Sequence, residues 1–279
     1  MMNVSAFSLV VFLVSALAGF IGSLTGLGGG VVVIPALTLM LGVDLRYAMG
    51  ASLVSVIATS SGAAAAYVKE GYSNVRVGMF LEIATTVGAV AGAHLTTLVP
   101  PSVLATVFGT VLLYSAWHSF RVRTEAVPGD SDVLGERLRL NGSYPGPDKP
   151  VLYRVSRVKE GFGLMFTAGL LSGLLGIGSG AMKVIAMDHV MHIPFKVSTT
   201  TSNFMIGVTA AASAGIYLSR GYIEPGLAMP VMLGVLAGSM WGARHLIGAR
   251  TRVLRTLFAV VIAVLAIEML YGGIGGGIR

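Results

Sequence analysis

Long stretches of this chain carry no charged residue, among them 1–43, 47–68, 161–182 and 197–219. A folded surface in water cannot be covered from such material. The remainder of the composition agrees, with 54% of the 279 residues hydrophobic, 11% charged and a mean hydropathy of +0.82. A soluble domain carries about 25% charge. Lipid is the solvent that fits, and in lipid the backbone must satisfy its own hydrogen bonds within helices. The 38 glycines suit close helix contacts in a bilayer. The absence of cysteine excludes disulfides, thiolate metal sites and cysteine nucleophiles.

The chain repeats itself. Setting residue i over residue i+150 between 18–108 and 168–258 gives 21 identities in 91 positions without a gap. Gly26, Gly28 and Gly30 meet Gly176, Gly178 and Gly180. Tyr67, Gly71 and Tyr72 meet Tyr217, Gly221 and Tyr222, and Gly88, Gly92 and Ala93 meet Gly238, Gly242 and Ala243. An internal repeat of this kind governs the fold.

Each half contains five apolar segments, at 5–25, 30–43, 48–68, 77–98 and 102–120, then 161–176, 180–193, 198–218, 226–247 and 253–271. The expected organisation is a first transmembrane repeat over 1–120, a polar linker over 121–160 and a second repeat over 161–279. The N-terminal run reads as a first membrane segment, since it has no basic region before it and leads directly into glycines. The second and seventh segments fall short of the roughly 20 residues a spanning helix needs. Each follows a glycine cluster, which makes them candidates for re-entrant or tightly bent segments. The linker, punctuated by Pro and Gly, reads as an aqueous loop with room for a short hairpin and no core of its own.

The net charge of +7 is a topology signal rather than a nucleic-acid footprint. With an odd number of crossings per half and 121–160 in the cytoplasm, 15 basic residues lie inside and 3 outside. The expected fold is therefore an all-α polytopic membrane protein of two inverted-topology repeats in a cell membrane, with both termini outside. Inverted repeats are how many secondary transporters alternate access, with the site near mid-membrane at broken helices.

The chemistry is expected there. Gly28, Gly29 and Gly30, with Gly178, Ser179 and Gly180, free backbone N–H groups for an anion; their alternative role is helix packing. Lys183 lies three residues past Gly180 in an apolar stretch, opposite Val33 of the first half. It reads as an anion ligand, against the alternative of a lysine reaching to the interface. Thr200, Thr201, Ser202 and Asn203 belong to a hydroxyl-rich run from Ser198 at the eighth segment, which either caps a helix or lines a path. In the first half only Ser52 is polar at the matching positions, so the site is asymmetric. Glu82 is a candidate for a coupling proton, or for an interfacial pair with Arg76. Glu268, His94, His118, Asp188 and His189 also lie in or beside apolar segments. Catalytic motifs are absent, and Asp188, His189 and His192 are too few and too local for a metal site. No cofactor is expected; the expected partners are a small anion and the bilayer, with self-association left open.

The stretches GLGGGVVVIPAL at 26–37 and GIGSGAMKVIAMDHVMHIPFKVSTTTSNFMIGVTAAASA at 176–214, together with the repeat, resemble the TauE/SafE family of sulfite exporters. The resemblance covers nearly all of the chain except the linker. It implies export of sulfite, an organosulfonate or another small anion. An anion channel and, further off, a membrane-embedded enzyme are the alternatives. The second copy departs from the family pattern at Ser179, where a glycine is usual, and at Ile185, opposite Pro35, so its backbone is expected to differ slightly from the first.

Overall fold

The computed structural model describes residues 4–23, 29–69, 72–120, 132–145, 149–246 and 251–275. The first repeat comprises α1 (Val4–Ser23), α2 (Gly30–Pro35), α3 (Leu45–Lys69), α4 (Val75–Leu95) and α5 (Pro101–Phe120). The second comprises α7 (Val158–Leu175), α8 (Gly180–Ile185), α9 (Phe195–Ser219), α10 (Pro225–Leu246) and α11 (Thr251–Ile274). Helices α2, α3 and α5 begin 150 residues before α8, α9 and α11, so the offset seen in the sequence is also the offset of the elements.

Both short helices continue into a π-helical turn, at Ala36–Met40 and Ala186–Val190. Pro35 lacks an N–H and would account for a break in the first copy. It is not the cause, because Ile185 precedes the same π turn with nearly the same backbone angles (φ −60°, ψ −45° against φ −60°, ψ −39° at Pro35). The expected effect of Ile185 on the backbone is therefore absent. At about 1.5 Å per residue, these broken helices reach about half of a ~30 Å hydrocarbon layer.

The repeats pack by exchange. Helix α1 lies against α10 of the other repeat and α7 lies against α4, while α3 meets α9 and α5 meets α11. Glycine makes the exchanged pairs possible. A Cβ at Gly88 would meet the Phe166 carbonyl, one at Gly92 that of Leu170, and one at Gly173 that of Ala89. The matching pair is built alike, with Gly238 against Ala16 and Gly19 against Val235. Such small-residue seams let helix backbones approach where no hydrophobic force draws them together.

Polarity is arranged inside out. Leu9, Leu13 and Leu17, then Met79, Ile83 and Val87, form exposed apolar stripes at helical spacing. Ser52, Ser172, Lys183, Ser202 and Thr209 have no exposed surface. Helices α4 and α7 are long and apolar enough to cross a membrane.

The loops gather at two ends. At one, Arg46 donates to the Val99 carbonyl (3.1 Å), Arg220 donates to Thr97 (2.6 Å), and the Arg46 guanidinium lies over the Tyr222 ring. At the other, Asn74 donates to the Leu140 carbonyl and the Tyr153 hydroxyl, and Ser156 bonds His192. Among the described residues, the linker is the one departure from an all-α fold. It holds a short helix, α6 (Val133–Arg137), and a hairpin of β1 (Gly142–Tyr144) and β2 (Val151–Tyr153) with Gly142 opposite Tyr153. It is also more than an aqueous loop, because Leu140, Tyr153 and Val155 join one core with Val77, Leu81, Met165 and Met187.

Candidate functional site

Four residues, Gly176 to Ser179, turn the chain from α7 into α8. The turn is left-handed at Gly176 (φ 67°), Gly178 (φ 71°) and Ser179 (φ 48°). Glycine adopts this without strain and serine does not. In the first copy, Gly29 at the position of Ser179 is right-handed (φ −62°). The two copies do differ where Ser179 replaces glycine, and it is the serine that takes the conformation glycine would favour. The Ser179 hydroxyl is buried and makes no hydrogen bond. Gly28 lies outside the described residues. Gly30 packs so closely on α3 that a Cβ there would meet Val56 and the Ser52 hydroxyl.

That turn sets Lys183 in the protein interior, with no exposed surface. It does not reach for the interface. Its Nζ donates to the Thr209 hydroxyl from α9 and lies 3.8 Å from Oε2 of Glu82 on α4. Thr209 in turn donates to Glu82 Oε1 at 2.6 Å, and Thr86 donates to the same oxygen at 3.2 Å. The two charges that the sequence left separate are thus one cluster, bridged by a threonine. The interfacial alternative for Glu82 falls away, since Arg76 is exposed and Glu82 is buried against Lys183.

The cluster is only partly satisfied. An ammonium has three donors, and among the described residues it makes one hydrogen bond, to Thr209. Glu82 Oε2 accepts none. A direct charge-assisted bond would be about 2.7–2.9 Å long, so at 3.8 Å the ion pair is not closed.

Thr209 escaped the sequence reading, although one signal pointed to it. It is identical to Thr59 across the repeat, at positions where most neighbours differ. The Thr59 hydroxyl donates to the Ser55 and Val56 carbonyls of its own helix.

The hydroxyl run sits within α9 rather than at its start. Pro194 is the N-cap, and no side chain caps the helix. Thr200 donates to the Tyr72 carbonyl, and Thr201 accepts from the Asn74 N–H, each at 3.0 Å. Both therefore tie α9 to the chain leading into α4. Ser202 donates to the Gly180 carbonyl (3.1 Å), and Ser52 to that of Gly176 (2.9 Å). These serines brace the two ends of the 176–180 turn, and Asn203 is half-buried beside them on α9. His189 lies 3.3 Å from Asp188.

An apolar exterior around a sealed charge cluster defines a helical membrane protein with a polar interior site. The chain belongs to the sulfite exporter TauE/SafE family, whose model matches residues 11–269. It is 26% identical over 272 residues to the probable membrane transporter protein YunE of Bacillus subtilis, covering 95% of this chain and 98% of that one. It is 28% identical over 237 residues to the probable membrane transporter protein YdhB of the same organism, covering 85% and 87%. A third relative, the probable membrane transporter protein ORF9 of a Sinorhizobium species, is 25% identical over 267 residues, covering 95% and 94%. No solved structure matches the chain.

Proposed function

We propose that this protein is a multi-pass secondary transporter of the cell membrane that exports a small oxyanion, sulfite or an organosulfonate, with Lys183 as its anion ligand. The observation that carries the reading is the unfinished coordination of Lys183. A wholly buried ammonium that donates one hydrogen bond is costly unless something completes its shell. An oxyanion brings several acceptor oxygens and would take the ammonium from Glu82, whose Oε2 is near but not bonded. The family description and the three relatives' names agree with transport.

Alternating access is supported by the exchanged packing of two like repeats and by the burial of Lys183, which is closed off from both ends. A channel would need a continuous wet path past it. The topology proposed from the basic residues, with inverted repeats, both termini outside and 121–160 in the cytoplasm, agrees with how the loops gather. Arg46 and Arg220, assigned outside, share one end with Thr97 and Val99, whereas the linker shares the other with Tyr72 and Asn74. The broken α2 and α8 are read as re-entrant, and the braced glycine turns as the walls of the site.

Thermal unfolding of the purified protein with sulfite, methanesulfonate, acetate or potassium chloride tests the reading. A ligand at a hundred times its Kd stabilises by about 2.7 kcal/mol. Sulfite or methanesulfonate should raise the melting temperature well above the effect of chloride at equal ionic strength. Equal shifts with all four salts would contradict an oxyanion site.

A further inference from the structure

We infer that transport is electroneutral, with one proton carried on Glu82 for each anion carried on Lys183. This rests on the reading of Lys183 as the anion ligand and goes beyond it to the coupling. Written as one ammonium and one carboxylate 3.8 Å apart, the empty cluster is neutral. An anion arriving at Lys183 would leave a buried site with two negative charges and one positive. Burying an uncompensated carboxylate is costly, and the group takes up a proton instead. The balance is then closed: a proton adds to the Glu82 carboxylate, Lys183 stays an ammonium, the anion pairs with it, and the loaded site is neutral like the empty one. Anion and proton leave together on the other side.

Glu82 is built for this exchange. Its Oε1 accepts from Thr209 and Thr86, and both hydroxyls can rotate between donating and accepting. Its Oε2, free of hydrogen bonds, is where a proton would bind. Among the described residues, the helices packed against α4 offer no competing partner. From α9 the facing group is Thr209, while Lys196 is exposed at that helix's start and Tyr217 bonds Thr96 and the Gly173 carbonyl further along. Helix α7 has no charged residue after Glu160, which is exposed together with Lys159. Asp188 and His189, beyond α8, pair with each other, and on α4 itself Arg76 and His94 are exposed near its two ends.

The stoichiometry of one follows from the repeat. The exchanged packing creates two equivalent places, but the residues matching Lys183 and Glu82 are Val33 and Met232, both neutral. A chain therefore holds one such charge pair. Coupled this way, the membrane potential drops out, and the anion ratio at rest equals the opposing proton ratio. An alkaline cytoplasm would then retain roughly a tenfold excess of anion per pH unit before net export began. The protein would act as an overflow route for an anion that metabolism produces inside the cell.

The test uses the full chain in liposomes loaded with methanesulfonate, a sulfonate that stays ionised at working pH, and a lumenal pH dye. Efflux should alkalinise the lumen with one proton lost per anion, at the same rate at zero and at strongly negative potential. Glu82→Gln should still exchange labelled methanesulfonate across the membrane, yet lose net efflux and alkalinisation by about tenfold or more. Glu82→Asp should keep the ratio of one at a lower rate. Methanesulfonate efflux without alkalinisation, or efflux that follows the potential, overturns the coupling and leaves the Lys183 site standing; this holds on the wild type alone if a variant fails to fold. Absence of both methanesulfonate efflux and a thermal shift overturns the site reading, and the coupling with it.

Discussion

Removing one member of the Lys183–Glu82 pair should damage the protein far more than removing both. Two charges 3.8 Å apart attract by roughly 4 kcal/mol at an effective dielectric of about 20. Lys183→Met leaves Glu82 buried with its charge uncompensated, and Glu82→Gln does the same to Lys183. Breaking a buried pair from one side typically costs about 3–5 kcal/mol, whereas replacing both members with neutral groups of similar volume is often close to neutral. In the double variant Lys183→Met/Glu82→Gln, the glutamine oxygen can still accept from Thr209 and Thr86. Taking about 2 °C per kcal/mol for a chain of this size, each single variant should melt roughly 6–10 °C below wild type, and the double variant within a few degrees of it. Thermal unfolding in a mild detergent, by intrinsic fluorescence or scattering, reads all four proteins. Single losses that simply add in the double variant would mean the two charges do not interact, and the cluster would not exist as described.

Ser179→Gly should raise stability by about 0.5–1 kcal/mol, since it relieves a left-handed serine and removes a hydroxyl without a partner, less the entropy glycine adds to the unfolded chain; a lower melting temperature would refute this. Gly173→Leu should abolish folded yield because its Cβ would press on the Ala89 carbonyl, while Gly163→Ala in the same helix, with open space around it, should be tolerated. Tyr153→Phe removes the acceptor for the Asn74 amide (2.7 Å) and should cost about 1 kcal/mol, visible as a lower melting temperature. Single cysteines at Leu98 and Leu152, both exposed, should react from opposite sides of sealed cells with an impermeant thiol reagent; labelling from one side would contradict the proposed topology.

What could be read from the chain depended on whether the signal was local. Charge-free runs and the 150-residue offset locate the helices to within a few residues, because membrane burial and duplication act on contiguous sequence. Lys183 stood out because an ammonium among apolar neighbours is conspicuous wherever it lies. Its pairing with Glu82, itself a candidate for a coupling proton, did not, because Glu82 is 101 residues away in the other repeat and reaches it only through the packing of α4 on α9. Arg76, six residues from Glu82, was the nearer but wrong neighbour. The hydroxyl run was misplaced for a related reason. The helix begins at Phe195, so Ser198 to Asn203 fall within it, and Ser198, Thr199, Thr200 and Ser202 donate to carbonyls of the helix or of neighbouring segments. The handedness of Ser179 was beyond sequence reading, since residue type alone would assign the left-handed position to Gly29. The linker's polar composition hid Leu140 and Val155, two apolar residues that reach a core supplied by other segments.

The most direct test of Lys183 as the anion ligand is calorimetric titration of methanesulfonate and sulfite into wild type and into Lys183→Met/Glu82→Gln, the variant expected to keep the fold without the charges. Wild type should bind at least one of the two anions. The neutral pair should bind it at least tenfold more weakly, as expected when a charge-assisted hydrogen bond of about 1.5–3 kcal/mol is lost. Wild-type affinity in a folded neutral pair would place the anion elsewhere and contradict the account.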